Sequence, residues 1–291
     1  MTIKVCYKSY MRNFESNTAM KLTSWMTKIA KSRYKKGNLE DVVAKCTHLS
    51  INEWNELHQV LKAHEELFDG TLGQWNLPPK DIKLKEGVTT YHAQPFSVPK
   101  LYEESSKKEI DHLVKIRVLQ KINESQWAAL TFAIPKKMLP NEKVPQIRVV
   151  SDFWELNKRT KRNLYLLPKI QDLLMKLEGF QYATSLDLNM GYYHIQLMPN
   201  VACLYTIILP WEKYEYVCLP MGIQNAPDIF QEAMSELMHN LEFIHVYLDD
   251  TLCITTGDWS THSKQLDQAF SHLKVAGLKV NTAKSSFVKQ N

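Results

Sequence analysis

Two adjacent aspartates, Asp249 and Asp250, interrupt an otherwise apolar, β-branched stretch that runs from Phe243-Ile-His-Val-Tyr-Leu248 to Thr251-Leu-Cys-Ile-Thr255. A third, Asp187, follows Tyr182-Ala-Thr-Ser-Leu186. Strand sequences normally exclude aspartate, so all three sit where carboxylates are unusual. Acids gathered in this way repel one another unless cations neutralise them. Two Mg2+ ions about 3.5–4 Å apart can acidify a hydroxyl, steady the oxygens of a departing pyrophosphate and clamp the phosphorus between them, and hard carboxylates are the ligands such ions take. Asp187, Asp249 and Asp250 are therefore candidate metal ligands and catalytic residues for nucleotidyl transfer. An Asp-Asp pair between strands is also good turn chemistry, and the pair by itself leaves both readings open.

Strands and helices must hold these acids in place. A strand to Leu186 delivers Asp187, and Phe243–Leu248 with Thr251–Thr255 predicts a tight hairpin whose turn is Asp249-Asp250. Pro168 opens a helix with Ile170, Leu173, Leu174 and Leu177 on one face and Gly179 past its end; Pro227 opens another carrying Phe230, Met234, Leu237 and Leu241. Short strands are expected around Ile195, Ile207 and Val217, and a last helix ends near Gly277. Upstream, the pattern predicts a helix over Glu103–Ile116 and strands over Leu130–Ile134 and Ile147–Val150, joined by a lysine-rich connection. Ser50 and Glu53 form a capping box for a helix with Trp54, Leu57, Leu61 and Phe68 at helical spacing, stopped by Gly70. Helices mixed with mostly antiparallel strands make an α+β fold. The Thr-, Pro- and Gln-rich stretch from Val88 divides a helical N-terminal region, 1–87, from a larger domain, 101–291, with 88–100 as the linker.

Composition bounds the function classes. With 44% hydrophobic and 23% charged residues, the 291-residue chain can bury a sizeable core. The longest uncharged run, Leu188–Trp211, is broken by Pro199 and Pro210, so no membrane span is expected; the first ten residues already carry Lys4 and Lys8 and do not read as a secretory signal. Five widely spaced cysteines, Cys6, Cys46, Cys203, Cys218 and Cys253, contain no C-x-x-C pair, which argues against a disulfide framework or a zinc site. A cytoplasmic or nuclear, non-secreted protein is expected, and nothing in the sequence sets its oligomeric state. The net charge of +5 is small, but Lys136 to Arg162 gathers eight bases against three acids, a distribution that suits a phosphate backbone as well as a solvated face.

The acids do not stand alone. Tyr247-Leu248-Asp249-Asp250 resembles the Y-x-D-D signature of reverse transcriptases, with Tyr247 and Leu248 as its motif residues. Arg148-Val-Val-Ser-Asp-Phe-Trp-Glu-Leu-Asn157 is similar to that family's fingers motif, and Ser185-Leu-Asp-Leu-Asn-Met-Gly-Tyr-Tyr-His-Ile195 to its first palm motif. Leu219-Pro-Met-Gly-Ile-Gln-Asn-Ala-Pro-Asp-Ile-Phe-Gln231 and Gly277-Leu-Lys-Val-Asn281 resemble the motifs on either side of Y-x-D-D. The wording is most similar to gypsy-type long-terminal-repeat retrotransposons, including the approach segment Leu67-Phe-Asp-Gly-Thr-Leu-Gly73. The resemblance implies the fingers and palm of a right-hand polymerase with an antiparallel palm sheet: fingers near 101–165 and 193–222, palm near 166–192 and 223–291. The thumb is expected to be largely absent, lying beyond Asn291.

The same resemblance implies roles. Asp187, Asp249 and Asp250 hold two Mg2+ ions; Lys136 and Arg148 grip the incoming triphosphate; Tyr192 excludes a ribose 2′-hydroxyl; Gly222 lets the backbone approach the nucleotide; and Lys284 protonates pyrophosphate. The implied partners are a primed RNA or DNA template and deoxynucleoside triphosphates, for RNA-directed DNA synthesis. The alternative is a catalytically weak or inactive remnant that still binds nucleic acid; a metal-dependent nuclease could use the same acids. Trp154 stands where the family usually has arginine, and Glu212 where it usually has a turn glycine.

Overall fold

The computed structural model describes residues 36–135, 147–168, 175 and 179–290, and these fall into two compact units. One comprises Met1–Gln74, Tyr165–Gly191 and Gln231–Asn291; the other Trp75–Leu164 and Tyr192–Phe230. The expected linker lies within the second unit, fastened there by Ala93 N–H to Ala128 O (2.9 Å) and Ala128 N–H to Tyr91 O (3.0 Å).

The second unit contains α3 (Lys100–Lys115), β1 (Leu119–Ile122), β2 (Ala129–Pro135), β3 (Ile147–Asp152), α4 (Trp154–Arg159), α5 (Pro199–Ala202), β5 (Thr206–Ile208) and β6 (Lys213–Tyr216). Its five strands run in the order β1-β6-β5-β2-β3, antiparallel except for β2 with β5. No strand forms at Ile195, which follows a 3-10 turn over Gly191–His194 and is flanked by a single bridge between Gln196 and Cys218. The β5–β6 turn does without the missing glycine: Glu212 stays out of the left-handed region, and its carboxylate accepts from Tyr214 Oη–H at 2.7 Å and pairs with Lys121.

The first unit opens with α1 (Leu39–Ala44) and α2 (Ile51–Ala63), the latter starting in the expected Ser50/Glu53 capping box. Its sheet, ordered β7-β8-β4-β9, is built from β4 (Tyr182–Asp187), β7 (Ile244–Tyr247), β8 (Asp250–Thr255) and β9 (Ser286–Gln290), all antiparallel. Helix α6 (Ala226–Leu237) runs across the boundary between the units and ends before Leu241; α7 (Trp259–Val275) is capped by Asp258. The expected helix after Pro168 falls mostly outside the described residues. Among the described residues, no helix is long and apolar enough to cross a membrane.

A buried polar chain ties α7 to the sheet. His262, 0% exposed, stands 2.7 Å by Nδ1 from Thr255 Oγ1 and 3.1 Å by Nε2 from Thr184 Oγ1. Thr255 donates to Gln265 Oε1, and Val288 N–H donates to Thr184 Oγ1 (3.1 Å). Thr255 has one proton, given to Gln265, so Nδ1 carries the proton that Thr255 Oγ1 accepts, and in the neutral ring Nε2 accepts from Thr184 Oγ1–H. Thr184 thereby serves the Val288 amide where the β4–β9 register shifts and Val288 takes a φ of +40°.

Gly277 ends α7 at φ +77°, and a Cβ there would lie 2.1 Å from Gln74 O. Only glycine fits such a helix end pressed against another backbone. Gly277→Ala should cost roughly 3 kcal/mol or more, since strain and overlap add, and chemical denaturation measures it.

Candidate active site

The three aspartates meet on the first unit's sheet. Strands β7 and β8 are joined by Leu248 and Asp249, with Tyr247 opposite Asp250. The turn is thus one residue earlier than expected, and Asp250 is the first residue of β8, directly opposite Asp187 in β4. The buried face sets this register: Ile244 pairs with Cys253 and Val246 with Thr251, and all four are buried. A one-residue slip of either strand would turn its apolar side chains out to solvent.

A two-residue hairpin needs positive φ at its first loop position, and here that residue is Leu248, at φ +53°. A branched side chain pays about 1 kcal/mol or more to stay there. Gln231, buried on α6, holds it: Oε1 accepts from Leu248 N–H (2.7 Å), and Nε2 donates to Val246 O (3.1 Å). The sequence shows Gln231 only as the last letter of a motif, because its partners are backbone groups 15 and 17 residues away.

Asp187 is fixed from the other side. Its N–H donates to Ser285 Oγ (3.0 Å), its carbonyl accepts from Asn281 N–H (2.8 Å), and Lys284 Nζ stands 3.5 Å from its Oδ1. Lys284 is therefore an ion-pair partner of a candidate ligand. Asp249 Oδ1 is buried, whereas Asp250 is exposed.

Like charges directly opposite across a strand pair are destabilising, and Asp187 and Asp250 have Cα atoms about 4.5–5.5 Å apart by that geometry. Oxygen-only, anionic donors on adjoining strands suit a hard divalent cation. Among the described residues, no three His, Cys, Asp or Glu side chains already form an ion-holding cluster.

In the second unit, Arg148 lies on β3 with Nη2 3.3 Å from Met221 Sδ, next to Gly222. Lys136 lies outside the described residues. Gly222 has φ +94°. Asn157 clamps it, donating from Nδ2 to Gly222 O (2.9 Å) and accepting Gln224 N–H at Oδ1 (3.0 Å). Gln224 and Asn225 in turn bond the backbone carbonyls of Thr160 and Lys161. Two motifs 60 or more residues apart in the chain are thus one hydrogen-bonded unit, a reason for Asn157, Gln224 and Asn225 that sequence alone does not reveal. Tyr192 is 7% exposed, its ring edge-on to Phe230 at 5.1 Å, and Phe230 also packs on Trp75. Trp154 is 65% exposed, with Lys158 Nζ 5.1 Å from its ring centroid.

A fingers-and-palm polymerase fold is what this arrangement amounts to, and solved structures share it. The foamy viral protease-reverse transcriptase in complex with an RNA/DNA hybrid superposes with a TM-score of 0.75 at 23% identity, covering 87% of this chain and 34% of that one. Residues 134–291 match the family described as reverse transcriptase (RNA-dependent DNA polymerase), and the chain belongs to that family. It is 31% identical over 199 residues to the retrovirus-related Pol polyprotein from transposon opus of Drosophila melanogaster, covering 68% of this chain and 20% of that polyprotein. To the corresponding polyprotein from transposon gypsy it is 29% identical over 185 residues, covering 63% and 18%. The chain therefore spans about a fifth of the length of these relatives. Reverse transcriptases use divalent metal ions, in keeping with the oxygen donors described above.

Proposed function

We propose that this chain is the fingers and palm of an RNA-directed DNA polymerase that adds deoxynucleotides to a primer on an RNA or DNA template. The observation that carries the reading is the register placing Asp187 opposite Asp250, with Asp249 in the adjoining turn. Asp187, Asp249 and Asp250 would hold two Mg2+ ions, which supply the Lewis acidity that activates the primer hydroxyl and stabilises the leaving pyrophosphate. Lys284, whose Nζ stands 3.5 Å from Asp187 Oδ1, would give a proton to that pyrophosphate. Lys136 and Arg148 bind the triphosphate, Arg148 offering a guanidinium fork for phosphate oxygens. Gly222, which has no side chain to intrude, lets the nucleotide approach the backbone. The compartment is the cytoplasm or nucleus, supported by the free thiols of Cys46, Cys203, Cys218 and Cys253.

Extension of oligo(dT) on poly(rA) with Mg2+ tests the reading: incorporation supports it, and tight binding of the duplex without incorporation replaces it with a nucleic-acid-binding remnant. Tyr192, held by Phe230, is the proposed barrier to a 2′-hydroxyl. Tyr192→Val should lower discrimination against ribonucleotides by roughly tenfold or more, whereas Tyr192→Phe should keep it, because the barrier is the ring and not the hydroxyl. Single-nucleotide incorporation with matched deoxy and ribo substrates reads the difference.

A further inference from the structure

The approach segment is tied to the backbone of residues 187–189 through one intermediate stretch, 279–281. Asn189 N–H donates to Lys279 O (2.8 Å), Asn281 N–H donates to Asp187 O (2.8 Å), and Leu188 bridges Val280. That intermediate stretch is itself held from its far side: Val280 N–H donates to Leu67 O (2.8 Å), and Lys279 Nζ donates to Glu66 O (2.7 Å) and to Asp69 Oδ2 (2.8 Å). Asp69 is fixed in turn, its Oδ1 accepting from Thr71 N–H (2.8 Å) and Thr71 Oγ1–H (2.6 Å). A second tie skips the intermediate: Asn189, 1% exposed, donates from Nδ2 to Thr71 O (2.7 Å). The glycine contact of Gly277 with Gln74 continues the same close apposition.

We infer that Glu66–Gln74 is a positioning element for the Asp187 carboxylate, acting through Lys279 and Asn189. The bonds converge on residues 187–189 and not on the sheet at large. Two partly buried charges, Lys279 and Asp69, and one buried amide, Asn189, fix a strand end that would otherwise fray beside a repelling carboxylate. The inference rests on the reading of Asp187 as a metal ligand, and these residues touch neither substrate nor ion: they set where Asp187 stands relative to Asp250.

The test is a terbium titration, followed by luminescence excited through the protein's aromatic residues, on the intact chain and on Lys279→Met, Asn189→Ala and Asp69→Asn. Outer partners of metal ligands typically change affinity tenfold or more, so each variant should bind terbium about tenfold more weakly. Lys36→Met, which cuts the neighbouring Lys36–Glu65 pair without touching the ladder to Asp187, should bind as the parent does. A segment that only anchors the N-terminal helices would lower the melting temperature of the three variants and leave terbium affinity unchanged, and that result overturns the inference. Should a variant fold poorly, amide exchange at Asn189 and Asn281 in Asp69→Asn gives the second measure: faster exchange there than at Ala183 and Ile254 is expected, and uniform exchange overturns it. Terbium binding by the parent that survives Asp249→Asn with Asp250→Asn would instead remove the metal-site reading itself, so the two failures are distinguishable.

Discussion

The chain carrying Asp249→Asn and Asp250→Asn is expected to incorporate nucleotide at least about 10³-fold more slowly than the parent, roughly 4 kcal/mol of lost transition-state stabilisation. It is also expected to melt at the same temperature or a few degrees higher. Asparagine keeps the shape and an acceptor oxygen but removes the charge that binds a divalent cation. The same change relieves the repulsion between Asp250 and Asp187, which face each other across β4 and β8. Activity and stability therefore move in opposite directions, the signature of a site whose charge is kept at a cost to the fold. Were the acids merely turn residues, asparagine would serve as well, and incorporation would stay intact. Primer extension and calorimetry on the same two preparations separate these outcomes.

What was legible in the sequence is what local chemistry dictates. The capping box at Ser50 and Glu53, the end of the last helix near Gly277, and strands β2, β3 and β4 follow from periodicity and terminal residues. The active-site hairpin was legible too, but its turn was not, because an aspartate pair reads as turn chemistry while the register is decided by Ile244, Val246, Thr251 and Cys253 on a buried face. Leu248 in the left-handed region contradicts its own propensity, and only the Gln231 clamp explains how it stays there. Ile195 looked like a strand residue because Tyr193, Ile195 and Leu197 alternate with the polar His194 and Gln196, yet Met190 has a positive φ and a 3-10 turn follows over Gly191–His194. The bonds of Asn157 to Gly222 and of Asn189 to Thr71 span 65 and 118 residues, separations at which no local pattern speaks.

His262 should make the chain acid-labile in a way that His262→Gln removes. Burial pushes the imidazole down from its ordinary value to about 4, with a hydroxyl at each ring nitrogen and no carboxylate among those bonds to favour a positive charge. An exposed imidazole in the unfolded chain takes up its proton near pH 6.5, so between that pH and about 4 the unfolded state binds more protons than the folded one. Stability is therefore full above pH 6.5 and declines as the pH falls, by about 2 kcal/mol at pH 5 and roughly 3 kcal/mol below pH 4. Protonation also changes the Thr184 contact: Nε2 can no longer accept, so Thr184 Oγ1 would have to accept from it beside the Val288 amide and turn its own proton elsewhere. Because Thr184 and Thr255 belong to the strands that carry Asp187 and Asp250, the loss is felt in the sheet under the carboxylates. Urea unfolding of both chains at pH 7.5 and pH 5 measures it. The parent should lose about 2 kcal/mol more than His262→Gln over that interval, and parallel losses would show that the imidazole does not titrate in the folded state's disfavour.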